Sequence, residues 1–142
     1  MIEILVKGGI NTFRALRMVL PPAWQNIHMM DPEIKSFHEY NSMHMEAWDG
    51  PAGIVMSDGR WAICLLDRNG LRPARYQIDS DGYVTIASEI GVFPQDESNF
   101  ITKGRIGAGG IFAIDTETGE LIDQSIIDNK LKEGKPYRAW LR

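Results

Sequence analysis

The sequence predicts an α+β fold in which two N-terminal helices precede mostly antiparallel strands, and three observations predict it. Asp-Gly at 58–59 and Asn-Gly at 69–70 each follow an apolar run, and these dipeptides tolerate the positive φ that tight turns require. The run Trp61–Leu66 is apolar throughout, so we expect it to be covered on both faces, as in a layered sandwich. A helix-start signal at 31–33 precedes these strands. We therefore expect residues 52–56, 61–66 and 74–78 to form a three-stranded antiparallel meander.

The first predicted helix has a defined beginning and end. Asn11 or Thr12 is expected to cap it, because both side chains accept hydrogen bonds from the first amides of a helix. Two prolines end the helix after Leu20. Residues 2–7 are a short apolar piece, compatible with a helical turn or a strand, that resembles the end of an element beginning earlier. One face of the helix is expected to hold Phe13, Leu16 and Leu20.

The second predicted helix begins at Asp31-Pro32-Glu33. This string combines a capping carboxylate, a proline in the first turn and a second acid near the positive end of the helix dipole. We expect the helix to run to about Glu46, and the segment 24–30 before it to be a loop. Its buried face is expected to hold Ile34, Phe37, Asn41 and Met45.

Several further elements are predicted after the meander. Residues 83–88 follow an Asp-Gly turn and alternate in polarity, which predicts a half-buried strand paired with residues 75–78. Next we expect a loop over 91–97, a strand over 100–106, a flexible glycine hinge over 107–110, a hairpin of 111–115 with 120–123, and a short helix over 126–132. Tyr137 and Trp140 in the tail are expected to connect onward, because two terminal aromatics are hard to bury without a partner.

Composition restricts the function classes. The 142 residues fit one domain, and 44% hydrophobic with 24% charged residues is typical of a globular protein. A formal net charge of −4 without a concentrated basic patch argues against nucleic-acid binding. No apolar run approaches the roughly 20 residues that a membrane helix needs. The single cysteine excludes an internal disulfide and no signal peptide is recognised, so we expect a cytoplasmic location and no membrane partner.

Six short strings, in one order and at the expected spacings, resemble a single protein family. They are Pro22-Ala23-Trp24-Gln25, Met45-Glu46-Ala47-Trp48, Asp49-Gly50-Pro51-Ala52, Leu66-Asp67-Arg68-Asn69-Gly70-Leu71-Arg72-Pro73, Ala87-Ser88-Glu89 and Lys103-Gly104-Arg105. Together they are similar to the second half of a class II glutamine amidotransferase domain, of the kind that forms the glutaminase domain of glutamate synthase large subunits. The resemblance covers nearly the whole chain, from about residue 2 to about residue 141.

The resemblance implies the fold of the hydrolases with an N-terminal nucleophile, an α/β/β/α sandwich with two antiparallel sheets face to face. Residues 1–142 are then the C-terminal portion of a single domain, with 1–47 helical, 48–123 in antiparallel strands and 124–142 a tail towards the next domain. The motif residues that the resemblance implies, with a structural role, are Asp49, Gly50, Pro51, Asp67, Asn69, Gly70, Arg72, Pro73, Ser88 and Glu89.

The resemblance also implies an activity for the parent protein. That protein hydrolyses L-glutamine to glutamate and ammonia, and passes the ammonia to synthase domains that aminate 2-oxoglutarate. FMN, an iron–sulfur cluster and reduced nicotinamide or ferredoxin as electron source belong to those later domains, so no cofactor is expected in this chain. Its partners are the remainder of the glutaminase domain and the synthase domains. Because part of each sheet leaves edge strands and apolar faces uncovered, we expect the isolated chain to self-associate.

No catalytic, substrate-binding or metal-ligating residue is assigned to this chain. The family attacks glutamine with an N-terminal cysteine whose own α-amine is the base, whereas residue 1 here is Met. Cys64 lies among apolar residues without a free amine, and is expected to be an inert structural thiol. His28, His38 and His44 lack the spacing of a metal site. The isolated chain is therefore expected to be inactive.

Alternatives stay open at this point. The chain is also compatible with a stand-alone module that complements a separate N-terminal half, or with the same region of a phosphoribosyl-transferring amidotransferase. Arg72 is expected to pair with Asp49 or Asp67 and lock the turn. The alternative is that Arg72, Ser88 and Glu89 support a catalytic site without touching substrate.

In the second helix, Asn41 and His44 are expected to satisfy local hydrogen bonds.

Overall fold

The computed structural model describes residues 1–94 and 96–142, in which the chain forms two antiparallel sheets and five α-helices joined by turns and short 3-10 helices. The predicted α+β class is confirmed. The helices are α1 (Ile2–Lys7), α2 (Thr12–Val19), α3 (Pro32–Ser42), α4 (Gln124–Glu133) and α5 (Tyr137–Trp140). The strands are β1 (Gly53–Ser57), β2 (Trp61–Leu66), β3 (Ala74–Asp79), β4 (Val84–Ala87), β5 (Phe100–Ile106), β6 (Ile111–Asp115) and β7 (Leu121–Ile122). None of the helices in these two ranges has the length and apolar character needed to cross a membrane.

Side-chain caps start both long N-terminal helices, as predicted. The Asn11 side chain accepts hydrogen bonds from the first amides of α2, and the Asp31 side chain accepts one from the amide of Glu33 at 2.8 Å. Asn11 rather than Thr12 is therefore the cap of α2. Residues 2–7, for which the sequence allowed a helical turn or a strand, form helix α1.

Helix α3 ends at Ser42, and the predicted end near Glu46 is wrong. The backbone N–H of Trp48 donates to the carbonyl of Val19 at 2.8 Å, and that carbonyl belongs to the last turn of α2. The N–H groups of His44 and Met45 still donate to the Asn41 carbonyl, at 3.1 and 3.3 Å, so the helix ends in a turn. The long-range bond then draws the chain across α2. Met45 still packs against the core, but from outside the helix.

The first sheet has the strand order β1-β2-β6-β7. The hairpin across 57–60 is confirmed, with Val55 opposite Cys64 in β1 and β2. The run Trp61–Leu66 is covered on both faces, as predicted, because Ile63 and Leu65 contact the helices while Cys64 and Leu66 contact the second sheet. The predicted hairpin of residues 111–115 with 120–123 is confirmed as β6 and β7.

The predicted three-stranded meander is wrong, because β3 does not pair with β2. It pairs with β4 and β5 in a second sheet, of order β4-β3-β5. Two features direct the chain there. The free edge of β2 is occupied by β6, and Pro73, just before β3, has no amide hydrogen to donate to a ladder. Residues 67–73 therefore carry the chain from one sheet to the other.

Within the second sheet, most predictions are confirmed. Strand β4 pairs with β3 in the expected place, with Tyr76 opposite Ile86, and β5 has the predicted bounds. The loop predicted over 91–97 includes Gln95, which lies outside the described residues. The predicted short helix near 126–132 is α4, which begins two residues earlier, at Gln124, with Asp123 as its cap.

The elements form consecutive layers of helix, first sheet and second sheet. One core lies between the helices and the first sheet, and its buried members are Phe13, Leu16, Val19, Leu20, Ile34, Phe37, Ile63, Leu65, Ile111, Ala113, Ile122, Ile127, Leu131 and Tyr137. A second core lies between the two sheets and is built from Cys64, Leu66, Ala74, Ile106 and Phe112. The two sheets thus share a core across their facing sides.

The tail packs on this chain's own helices, so the expectation that it needs a partner is wrong for Tyr137. The Tyr137 side chain is 3% exposed, and its ring lies 5.3 Å from the rings of both Phe37 and Tyr40. Trp140 lies 5.1 Å from the Tyr40 ring and remains 49% exposed. The physical reason is that α3 presents an aromatic surface that α5 covers.

Candidate functional site at the Asp67 turn

Asp67 lies in the turn after β2 and is 2% exposed. Its Oδ1 accepts the backbone N–H of Ala52 at 3.1 Å, and its Oδ2 accepts those of Asn69 at 3.0 Å and Gly70 at 3.1 Å. Burial acts to raise the pKa of Asp67, but these backbone bonds together outweigh it and hold the pKa below its ordinary value. The carboxylate is therefore stabilised in its charged form by backbone amides.

The backbone of Asp67 joins the same segments. Its N–H donates to the Ala52 carbonyl at 3.0 Å, and its carbonyl accepts the N–H of Gly70 at 2.9 Å and of Gly109 at 2.7 Å. One residue thereby connects the start of β1, its own turn and the turn between β5 and β6. Three stretches distant in sequence meet at this point.

Two glycines allow this close approach. Gly70 has φ +60°, and a Cβ there would lie 2.7 Å from the Cα of Ala108. Gly109 has φ +63°, and a Cβ there would lie 3.0 Å from the Cα of Pro22. The flexible hinge expected over 107–110 is instead a hydrogen-bonded turn, in which the N–H of Gly110 donates to the Gly107 carbonyl at 2.9 Å. It is fixed because two neighbouring backbones pack against it.

The cation that pairs with Asp49 is Arg68, at 2.8 Å between Nη2 and Oδ1. The expected pairing of Arg72 with Asp49 or Asp67 is therefore wrong. Backbone amides occupy the Asp67 oxygens, and the Arg72 stem lies beside Gly53, at the opening between the two sheets. This opening has a volume of about 200 Å³.

The motif residues separate into groups. Asp49, Asp67, Asn69 and Gly70 meet in or next to the turn, through the contacts given above. The opening between the sheets is lined by Arg72, Pro73 and Ser88, together with Cys64. Glu89 lines a different cavity, of about 340 Å³, on the second sheet. Gly50 has φ +126°, in the segment where Asp49-Gly50-Pro51 leads into β1. The structure thus does not bring all ten residues to one place.

Cys64 is buried in β2 and burial raises the pKa of its thiol. A protonated, buried thiol is a poor nucleophile, which agrees with the structural role expected from the sequence. Among the described residues, no three His, Cys, Asp or Glu side chains come close enough together to hold a metal ion. Asn41 makes the local bond expected of it, donating from Nδ2 to the Phe37 carbonyl at 2.7 Å.

Two buried polar side chains beside the turn were not singled out from the sequence as part of a site. Arg17 is 1% exposed and its Nη1 donates to the Gly109 carbonyl at 2.7 Å. His38 is 3% exposed, and its ring is stacked 6.2 Å from that of Trp24. Helical spacing could have predicted the burial of Arg17, because it lies four residues after Phe13 and three before Leu20, on the apolar face of the helix. Burial, and then the nearby Arg17 charge, lower the pKa of His38 to about 3.

Comparison with known proteins gives one family. The family model for class II glutamine amidotransferases matches residues 1–140. The ferredoxin-dependent glutamate synthase of Oryza sativa subsp. japonica chloroplasts is 41% identical over 143 aligned positions, which cover 99% of this chain and 9% of that protein. The large chain of the NADPH glutamate synthase of Bacillus subtilis is 37% identical, over 98% of this chain and 9% of that protein.

A third similar protein has NADH in its name. The NADH glutamate synthase of Saccharomyces cerevisiae is 37% identical over 99% of this chain and 6% of that protein. The chain thus spans less than a tenth of the length of the curated relatives it matches, since the covered shares of all three are 9%, 9% and 6%.

We expect Gly70→Ala to destabilise the chain more than Gly59→Ala. Both glycines have positive φ, which costs an alanine about 1–2 kcal/mol, but a Cβ at Gly59 meets nothing within 4 Å. The additional clash of Gly70 with Ala108 should cost about 1–3 kcal/mol more. Urea unfolding monitored by circular dichroism measures both losses. Equal losses would show that the turns do not pack as closely as described.

Lowering the pH should destabilise the native chain through His38. The unfolded imidazole binds a proton near its ordinary pKa of 6.5, whereas the folded one resists protonation down to about pH 3. Stability present above pH 6.5 is thus lost as the pH falls, by about 2 kcal/mol between pH 7 and pH 5. His38→Phe keeps an aromatic ring and removes this loss. Unfolding free energies at the two pH values, in low-salt buffer, test it; parallel pH dependence in both proteins would contradict the burial of a neutral His38.

Proposed function

The chain belongs to the class II glutamine amidotransferase family, and from that membership we propose that it is the supporting portion of the glutaminase domain of a glutamate synthase. In the proposed parent protein, L-glutamine is hydrolysed to glutamate and ammonia, and the ammonia aminates 2-oxoglutarate in synthase domains. The proposal is that residues 1–142 form the C-terminal portion of this glutaminase domain and position its catalytic portion without taking part in the chemistry.

The match of the family model across residues 1–140 carries this proposal. The similar proteins named above are all glutamate synthases, which favours that parent over a phosphoribosyl-transferring amidotransferase. The Asp67 contacts support a structural role, because they join matched strings from separate parts of the chain. Since those strings are fixed by backbone hydrogen bonds, their residues serve to hold segments in place.

The nucleophile is proposed to come from another part of the parent protein. The one thiol within residues 1–142 is Cys64, which is buried in the middle of β2 and has no free α-amine, because its nitrogen is part of a peptide bond. Glutamine amide attack by this family's chemistry requires a thiolate beside a free amine that acts as the base. Cys64 meets neither requirement.

The cofactors of the proposed parent are likewise placed outside this chain. An iron–sulfur cluster is held by several cysteine thiolates, and a chain with one buried cysteine does not fit it. The names of the relatives include ferredoxin, NADH and NADPH, so the electron donor varies among them. FMN and the donor site are proposed to lie in the synthase domains. A cytoplasmic location is part of the same proposal.

Activity should appear only when the chain is combined with a polypeptide that carries the N-terminal half of a class II glutaminase domain. Alone, the chain should release no ammonia from L-glutamine and should self-associate through its uncovered strand edges. The mixture should form a one-to-one complex that hydrolyses glutamine, and Cys64→Ser should leave its rate within about twofold because Cys64 is not the nucleophile. An ammonia-release assay with sedimentation analysis measures each outcome.

Three results would contradict the proposal. Glutamine hydrolysis by the chain alone, lost in Cys64→Ser, would identify Cys64 as a nucleophile. A chain that is monomeric and shows no binding to the N-terminal half would remove the supporting role. Complex formation without glutamine hydrolysis, when the N-terminal half carries its cysteine, would show that this chain does not complete a glutaminase.

A further inference from the structure

A small polar cavity lies beside the Asp67 turn, between α2, α3 and the loop at Pro22. Its volume is about 50 Å³, which is room for a few water-sized groups. Arg17, His38 and Trp24 line its buried side, and Gln25, Ser42 and Arg68 lie towards solvent. The cavity is separate from the opening between the sheets that contains Cys64.

Two buried side chains that line this cavity have nitrogen atoms without hydrogen-bond partners. Arg17 uses Nη1 to bond the Gly109 carbonyl, while its Nε and Nη2 have no hydrogen-bond partner among the described residues. Neither ring nitrogen of His38 has such a partner in the same part of the chain. Buried polar groups normally find partners, and an unpartnered buried N–H is costly.

The charge of Arg17 at this place is positive and only partly compensated. Burial lowers the pKa of Arg17 to about 10, so its guanidinium remains cationic at neutral pH. None of the described residues that line the cavity carries a carboxylate. Asp128 attracts Arg17 through space and supplies part of the compensation, while burial raises the pKa of Asp128. The Oδ1 of Asp128 has no hydrogen-bond partner within residues 1–94 and 96–142. Asp49, beyond the rim, is paired with Arg68.

We propose that this cavity is a binding site for a small monovalent anion of about the size of chloride, held by the Arg17 guanidinium. Two free guanidinium N–H groups form a fork suited to an anion, and the imidazole of His38 and the Arg68 guanidinium add further donors. A water molecule would satisfy these donors without adding to the partial compensation of the buried charge, whereas an anion does both. The volume limits the anion to a few atoms.

The test compares the thermal unfolding midpoint of the 142-residue chain in chloride and in gluconate, which is too large for the cavity, at equal ionic strength. Chloride should raise the midpoint saturably, by about 4 °C at ten times its Kd. Arg17→Met should abolish this rise. Arg105→Met, which removes an exposed arginine on β5 by the same substitution, should retain it. Equal midpoints in both salts, or a rise that persists in Arg17→Met, would overturn the proposal.

A second measurement uses the unmodified chain and is unaffected if Arg17→Met fails to fold. Crystals of the chain soaked in sodium bromide should show an anomalous difference peak within hydrogen-bond distance of Arg17 Nε or Nη2. A peak there supports the anion site. Ordered water at that place with no anomalous signal would overturn it.

Discussion

The structure depends on one buried carboxylate, that of Asp67, which is charged and almost fully bonded by backbone amides. Its two oxygens fix the start of β1 and the Asn69-Gly70 turn, while its own carbonyl holds the turn between β5 and β6. A buried charge of this kind is tolerated only where donors surround it, and the tight turns bring those donors together. Because the chain passes from the first sheet to the second directly after Asp67, the same bonds fix where the second sheet begins.

Local patterns in the sequence predicted most elements, and long-range contacts explain the failures. The Asp-Gly turn at 58–59 specifies the β1–β2 hairpin because positive φ and the flanking apolar runs are local properties. The assignment of β3 to a second sheet depends on β6, which is more than forty residues after β2 and occupies its edge. The end of α3 depends on the bond from Trp48 to Val19. Neither contact is visible in a local pattern.

The candidate site was predicted only in part, for a similar reason. The resemblance identified Asp67 and Gly70 as motif residues, and their turn geometry followed from sequence. The sequence did not show whether Arg68 or Arg72 pairs with Asp49, because the side chains of residues four apart around an irregular turn have no fixed relative direction. Arg17 was readable from helical spacing as a polar residue on an apolar face, but its acceptor on Gly109 is distant in sequence. The buried polar contact of Arg17 thus depends on a tertiary acceptor that the local helical pattern does not show.

The most direct test of the stabilising role of Asp67 is the unfolding free energy of Asp67→Asn at pH 7, measured in urea beside Asp81→Asn, a change at an exposed turn. Asparagine has nearly the same shape as aspartate but carries no charge. An NH₂ donor replaces one of the two acceptor oxygens, so it faces the backbone N–H groups that this oxygen would accept. We expect a loss of about 2 kcal/mol or more for Asp67→Asn and a change within about 0.5 kcal/mol for Asp81→Asn. Equal stability of the two variants would contradict the central role of the Asp67 carboxylate.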